Sequence, residues 1–178
     1  MTFRPISEIC GIYRPVKTLF VNPAAAAISS RSAANLRSVS MTNIEKVLYT
    51  GKTRTTGGRD GASQSDDGQL DIKLSPPGSA RPGTNPEQLF AAGWSACFIG
   101  AIGIAAGKLR IRLPAETAVN AEVDLGTTDG DYFLQARLKV SLPGLEADVA
   151  KALVDEAHRT CPYSKATRGN IHVELSIA

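Results

Sequence analysis

Two cysteines 64 residues apart, Cys97 and Cys161, are the residues of this chain best suited to covalent chemistry. A thiol reacts as its thiolate, and at a reference pKa near 8.5 only about 3% is ionised at pH 7. Cys97 lies in an apolar run, FAAGWSACFIGAIG, where burial lowers that share and where a cysteine usually serves as a small hydrophobe. The same structural reading applies to Cys161. A nucleophilic Cys97 therefore needs a cation beside it that stays charged when buried, which favours arginine over lysine. Arg59, in the Gly-rich turn GGRDG, and Arg168, in TRGN soon after Cys161, are the candidates. Taken singly, either would be an ordinary solvated turn charge. Spacing alone does not say that the two thiols meet.

The element that must position Cys97 begins at Thr84-Asn85-Pro86-Glu87, where a capping residue, a proline at the first helical position and an acid in the first turn predict a helix start. From there the pattern is apolar nearly all round, through Leu89, Phe90, Trp94, Phe98, Ile102 and Ile104, and predicts a centrally buried helix. Cys97 is too far along it to benefit from the helix dipole, which fades within the first turn. Glu87 is either a helix-start acid or a site carboxylate. Ten residues of straight helix would hold it about 15 Å from Cys97. If both serve one site, either the helix breaks near Gly93 or a second subunit supplies one of them, and the second option, an intertwined homodimer, is favoured.

The remaining pattern supplies a sheet framework. Residues 44–54 read as a strand ending at Gly57-Gly58, and residues 69–74 as a second strand closing a hairpin. Residues 75–83, with three prolines and two glycines, predict a loop. Two alternating stretches at 116–126 and 131–142 predict an antiparallel pair. Leu145, Val149, Leu153 and Ala157 predict an amphipathic helix ending near Cys161-Pro162, and residues 171–178 a final strand. The order ββαββαβ argues for an α+β fold, mainly antiparallel, around one buried helix.

Composition narrows the function classes. A length of 178 residues suits one domain. Of the net charge of +3, Arg4, Arg14, Lys17, Arg31 and Arg37 against Glu8 place +4 in residues 1–40 and leave −1 for residues 41–178. That body carries no electrostatic footprint for nucleic acid. The apolar runs predict no membrane span, which needs about 18 residues. Three cysteines are too few for a secreted disulfide framework. Residues 1–40, Ser- and Ala-rich, basic and nearly free of acid, read as a mitochondrial targeting leader preceding a domain at 41–178. The alternative is a chain that starts at Met41 and stays cytoplasmic.

Four segments, IEKVLYT at 44–50, TGGRDG at 56–61, GTNPEQLFAAGWSACFIGA at 83–101 and CPYSKATRGNI at 161–171, occur in order along the body. On these, residues 41–178 resemble the organic hydroperoxide resistance proteins of the OsmC/Ohr superfamily. The resemblance implies that Cys97 is the peroxidatic thiolate and Cys161 the resolving thiol. It also makes Arg59 the activating cation and Glu87 the carboxylate that holds it. It implies an intertwined homodimer with two interfacial sites, organic hydroperoxides as substrate, a dihydrolipoyl group on a lipoylated protein as reductant, and neither cofactor nor metal. An apolar surround of Phe90, Trp94 and Phe98 is expected to favour alkyl hydroperoxides. Two rivals remain at this stage: a module binding a small lipophilic ligand, with structural cysteines, and a metal site using His158, Cys161 and Cys97.

Overall fold

The computed structural model of the chain describes residues 43–178. The leader expectation, Cys10 and Met41 lie outside the described residues. Over residues 49–178 the chain forms two three-stranded sheets and three helices. Strands β1 (Thr53–Thr56), β2 (Ala62–Ser65) and β3 (Asp71–Lys73) make an antiparallel sheet in that order. Helix α1 (Pro86–Leu109) follows, then β4 (Ala118–Thr128), β5 (Asp131–Ser141), α2 (Ala147–Thr160), α3 (Pro162–Thr167) and β6 (His172–Ile177). The second sheet has the order β4-β5-β6, antiparallel across β4 and β5 and parallel between β5 and β6. The architecture is α+β and mainly antiparallel, as expected, with parallel pairing between β5 and β6 and at an isolated Leu74–Thr84 bridge.

Helix α1 starts where the sequence predicts. The Asn85 side chain accepts the N–H of Gln88 and Pro86 opens the first turn. It ends at Arg110, whose φ of 57° is left-handed. Trp94, Phe98, Ile102, Ala105 and Ala106 are buried against β4 and α2. Its opposite face, Ala92, Ala96, Gly100, Gly103, Ile104 and Gly107, is exposed, so one face is core rather than the whole circumference. By length and composition α1 would suffice to cross a membrane, contrary to the expectation from the apolar runs; its packing makes it the core helix of this fold instead.

The β4–β5 hairpin turns on Asp129-Gly130, both at positive φ (52° and 86°), the conformation that matches the twist of two antiparallel strands. Arg137 on β5 bonds Asp124 through two nitrogens, at 2.7 and 2.9 Å, and Glu122 at 2.7 Å across the ladder. Asp124 is drawn down to about 2, first by Arg137 and then by Gln135. Helix α2 buries Ala150, Leu153, Val154 and Ala157 on one face.

Three local expectations fail. Residues 44–52 form no strand, and Ile44, Val47, Leu48 and Tyr49 are exposed: apolar alternation makes a strand only where a neighbour supplies a ladder, and pairing begins at Thr53 with Ser65. Strand β2, a polar ASQS, lacks an apolar period and was not predicted. Pro162 ends α2 but also opens α3, because a proline at the first helical position loses no hydrogen bond.

Candidate active site

The Sγ atoms of Cys97 and Cys161 lie 3.4 Å apart, both as free thiols. Cys97 projects from the middle of α1; Cys161 occupies the single non-helical residue between α2 and α3, with φ −57° and ψ 126°. Cys161 is fully buried, whereas Cys97 is partly exposed. Burial pushes the Cys97 thiol up from its ordinary value, the main-chain N–H of Tyr163 works the other way, and the neighbouring Cys161 adds to the rise. The two candidate arginines bond elsewhere, Arg59 to Glu87 and Arg168 to the His158 carbonyl. Burial thus favours the neutral form of the Cys97 thiol in a single chain.

Arg59 pairs with Glu87 in the first turn of α1, ten residues before Cys97. Arg59 sits in a one-turn 3-10 segment, Gly58–Asp60, between β1 and β2. Gly57 there adopts a φ of 70°, and a Cβ on Gly61 would lie 1.7 Å from the Thr56 carbonyl oxygen, so this turn requires both glycines. Arg59 donates from Nη1 to Glu87 Oε2 at 2.9 Å and from Nη2 to Oε1 at 2.5 Å, a two-pronged pair. Glu87 is well covered, its side chain 12% exposed, and Arg59 holds its carboxyl below the ordinary glutamate value. In the same turn Asp60 bonds Arg81 of the 75–83 loop.

Four predicted residues therefore form two pairs, Cys97 with Cys161 and Arg59 with Glu87. Helix α1 carries one member of each and runs unbroken past Gly93, so the predicted alternative of a helix break is excluded. Arg168, the other candidate cation, donates instead to the main-chain carbonyl of His158 at 2.6 Å. The Nδ1 of His158 is buried without a partner, and no cluster of three or more metal-ligating side chains forms among the described residues.

A cavity of about 370 Å³ opens beside the Arg59–Glu87 pair, lined also by Pro86, Phe90, Leu125 and Leu134. Phe90 was expected there. Trp94 and Phe98, expected with it, are fully buried core residues and cannot meet a ligand. Leu125 and Leu134, directly opposite on β4 and β5, were missed; the only sequence signal was an apolar residue close to a hairpin end. The Phe90 ring lies 5.5 Å from Trp94 and 6.0 Å from Tyr163, centroid to centroid, linking cavity wall to thiol pair.

A long helix laid on a mixed sheet, with a thiol from its middle in contact with a thiol from the break after α2, is an α+β framework with a built-in dithiol. The family of OsmC-like proteins matches over residues 76–176. An organic hydroperoxide resistance protein of Xanthomonas axonopodis pv. citri is 46% identical over 142 residues, covering 78% of this chain and all of that protein. The crystal structure of the organic hydroperoxide resistance protein OhrB of Bacillus subtilis superposes with a TM-score of 0.71 at 42% identity, over 74% of this chain and 100% of that one. That of an organic hydroperoxide resistance protein from Elizabethkingia anophelis, with crystallant-derived thiocyanate bound, gives 0.69 at 40% identity, over 75% and 98%. The chain belongs to the OsmC/Ohr family.

Proposed function

We propose that this protein is a thiol-dependent peroxidase that reduces organic hydroperoxides to alcohols. The observation that carries this reading is the 3.4 Å contact between two free thiols, one of them open to solvent. The names of the relatives at 40% identity and above support the substrate class. The Cys97 thiolate attacks the distal peroxide oxygen, the O–O bond breaks, and the alkoxide leaves as alcohol on taking a proton, which leaves Cys97 as a sulfenic acid. The Cys161 sulfur then displaces the hydroxyl as water and forms the disulfide. From 3.4 Å the sulfurs need to close by about 1.4 Å to reach a disulfide length near 2.05 Å. A dithiol, proposed as the dihydrolipoyl group of a lipoylated protein, returns both to thiols. The Phe90, Leu125 and Leu134 wall would hold an alkyl chain at roughly 0.8 kcal/mol per buried CH₂.

Full activity in this reading requires a homodimer. Three features support it: the Arg59–Glu87 pair is ten residues from Cys97 on an unbroken helix, the outer face of α1 is apolar and uncovered, and the β1–β3 sheet makes few contacts with the helices or the second sheet of its own chain. In a twofold pairing, residues equidistant from the axis meet. Two antiparallel copies of α1 crossing near the exposed Ala92 would bring Arg59 and Glu87 of one subunit to Cys97 of the other. That guanidinium would supply the charge the lone chain lacks.

Mass spectrometry after one equivalent of alkyl hydroperoxide tests the reading: a Cys97–Cys161 disulfide is expected, and intact free thiols beside unconsumed peroxide would refute it. Turnover with dihydrolipoamide tests the reductant, and sedimentation tests the dimer. We also propose a mitochondrial address from the composition of residues 1–40, checked by cell fractionation.

A further inference from the structure

One helical turn from the thiol pair, a second contact joins the same two segments. Trp94 Nε1 donates to Ser164 Oγ at 3.2 Å, and both residues are fully buried. Trp94 precedes Cys97 by three residues on α1, and Ser164 follows Cys161 by three residues in α3. Three residues of α1 amount to about 4.5 Å of rise, and Ser164 sits in the first turn of α3 just past Cys161, so hydrogen bond and thiol contact are two adjacent rungs between the same two segments. The segment that carries Cys161 has a ready hinge, because Cys161 is the one-residue break between α2 and α3. A buried indole N–H is costly to leave unpaired, so this bond resists opening.

Resting on the thiol-peroxidase reading, we infer that Trp94 and Ser164 are positioning residues that hold Cys161 at condensing range and so decide the fate of oxidised Cys97. Two reactions compete for the Cys97 sulfenic acid. In one, the Cys161 sulfur attacks the Cys97 sulfur, the S–O bond breaks, and the hydroxyl leaves as water with the Cys161 proton. In the other, a second hydroperoxide transfers its distal oxygen to the same sulfur, giving sulfinic acid and alcohol, a form thiols do not restore. Both draw on one intermediate, so the ratio of disulfide to sulfinic acid reports their relative rates. Of these two competing reactions a loosened α3 slows only the first; the Tyr163 N–H beside Cys97 also belongs to α3, which is why formation of the sulfenic acid is timed separately.

The test uses full-length reduced protein titrated with cumene hydroperoxide, with products counted by intact mass spectrometry and the first step timed by rapid quench. Ser164→Ala removes the acceptor; Trp94→Phe removes the donor while keeping an aromatic ring. Each should raise the sulfinic fraction per turnover about fivefold or more and leave sulfenic acid formation within about twofold of the parent. The double variant should do no more than the stronger single one, as expected for two halves of one contact. A parent-like sulfinic fraction in both variants overturns the inference, and so does an equal slowing of both steps, which would mark general loosening. A parent protein that forms no disulfide would refute the peroxidase reading itself; one that cycles normally while both variants partition like it would refute this inference alone.

Discussion

Replacing Arg59 by Met tests the proposal that its guanidinium activates Cys97. The comparison is best made in a Cys161→Ser background, so that Cys97 is the only thiol of the pair. Within one chain Arg59 is tied to Glu87, and ten residues of unbroken helix separate Glu87 from Cys97. At about 15 Å across water, a unit charge alters an ionisation equilibrium by less than about twofold. A partner's guanidinium at about 4 Å, at an effective dielectric near 20, would alter it roughly a thousandfold. The thiolates that remain are individually more nucleophilic, with a Brønsted slope of about 0.4–0.5, so the net loss in reactivity is about thirty- to sixtyfold. The assay is the rate of Cys97 alkylation by iodoacetamide at pH 7, read by peptide mass spectrometry. A fall of less than twofold would refute both the activating role of Arg59 and the shared site.

Three further outcomes follow from the geometry. Cys161→Ser should consume peroxide at the parental rate in the first turnover and then stall with Cys97 over-oxidised; sustained turnover with dihydrolipoamide would exclude Cys161 as the resolving thiol. The Asp124 carboxyl should titrate at about 2, and because that value is depressed in the folded state, its pairing with Arg137 stabilises the fold above the ordinary aspartate range and is lost as pH falls through about 2. Arg137→Gln should return the midpoint toward about 3.9 by carbon-13 NMR, and an ordinary midpoint with Arg137 intact would contradict the pairing. Gly61→Ala should destabilise the fold by about 2 kcal/mol or more in urea and abolish peroxidase activity, since its methyl would meet the Thr56 carbonyl oxygen and displace the turn that carries Arg59.

The sequence was most informative where local rules and burial agree. Asn85, Pro86 and Glu87 start α1 where capping logic puts them, and Asp129-Gly130 turns the hairpin inside the expected span. Polar β2 escaped notice because ASQS has no apolar period, and its strand state comes from ladders to β1 and β3 on either side. The apolar stretch at 44–50 misled for the converse reason, alternation without a partner strand. Trp94 and Phe98 looked like pocket walls because an all-apolar helix does not reveal which side faces the core. At the site, the family resemblance implied a dithiol and an arginine held by Glu87, and helix rise already set Glu87 about 15 Å from Cys97; that the thiols touch and that Arg59 rather than Arg168 pairs with Glu87 appears only in three dimensions.

The unequal cover over the two sulfurs gives the proposed cycle a direction. Cys161 is wholly enclosed and Cys97 is not, so a dithiol arriving from solvent meets Cys97 first. In the exchange that follows, Cys97 becomes the electrophile and Cys161 the departing thiolate. In the proposed cycle the mixed disulfide with the reductant would then form on the sulfur that had received the peroxide oxygen, and one doorway would admit oxidant and reductant in turn.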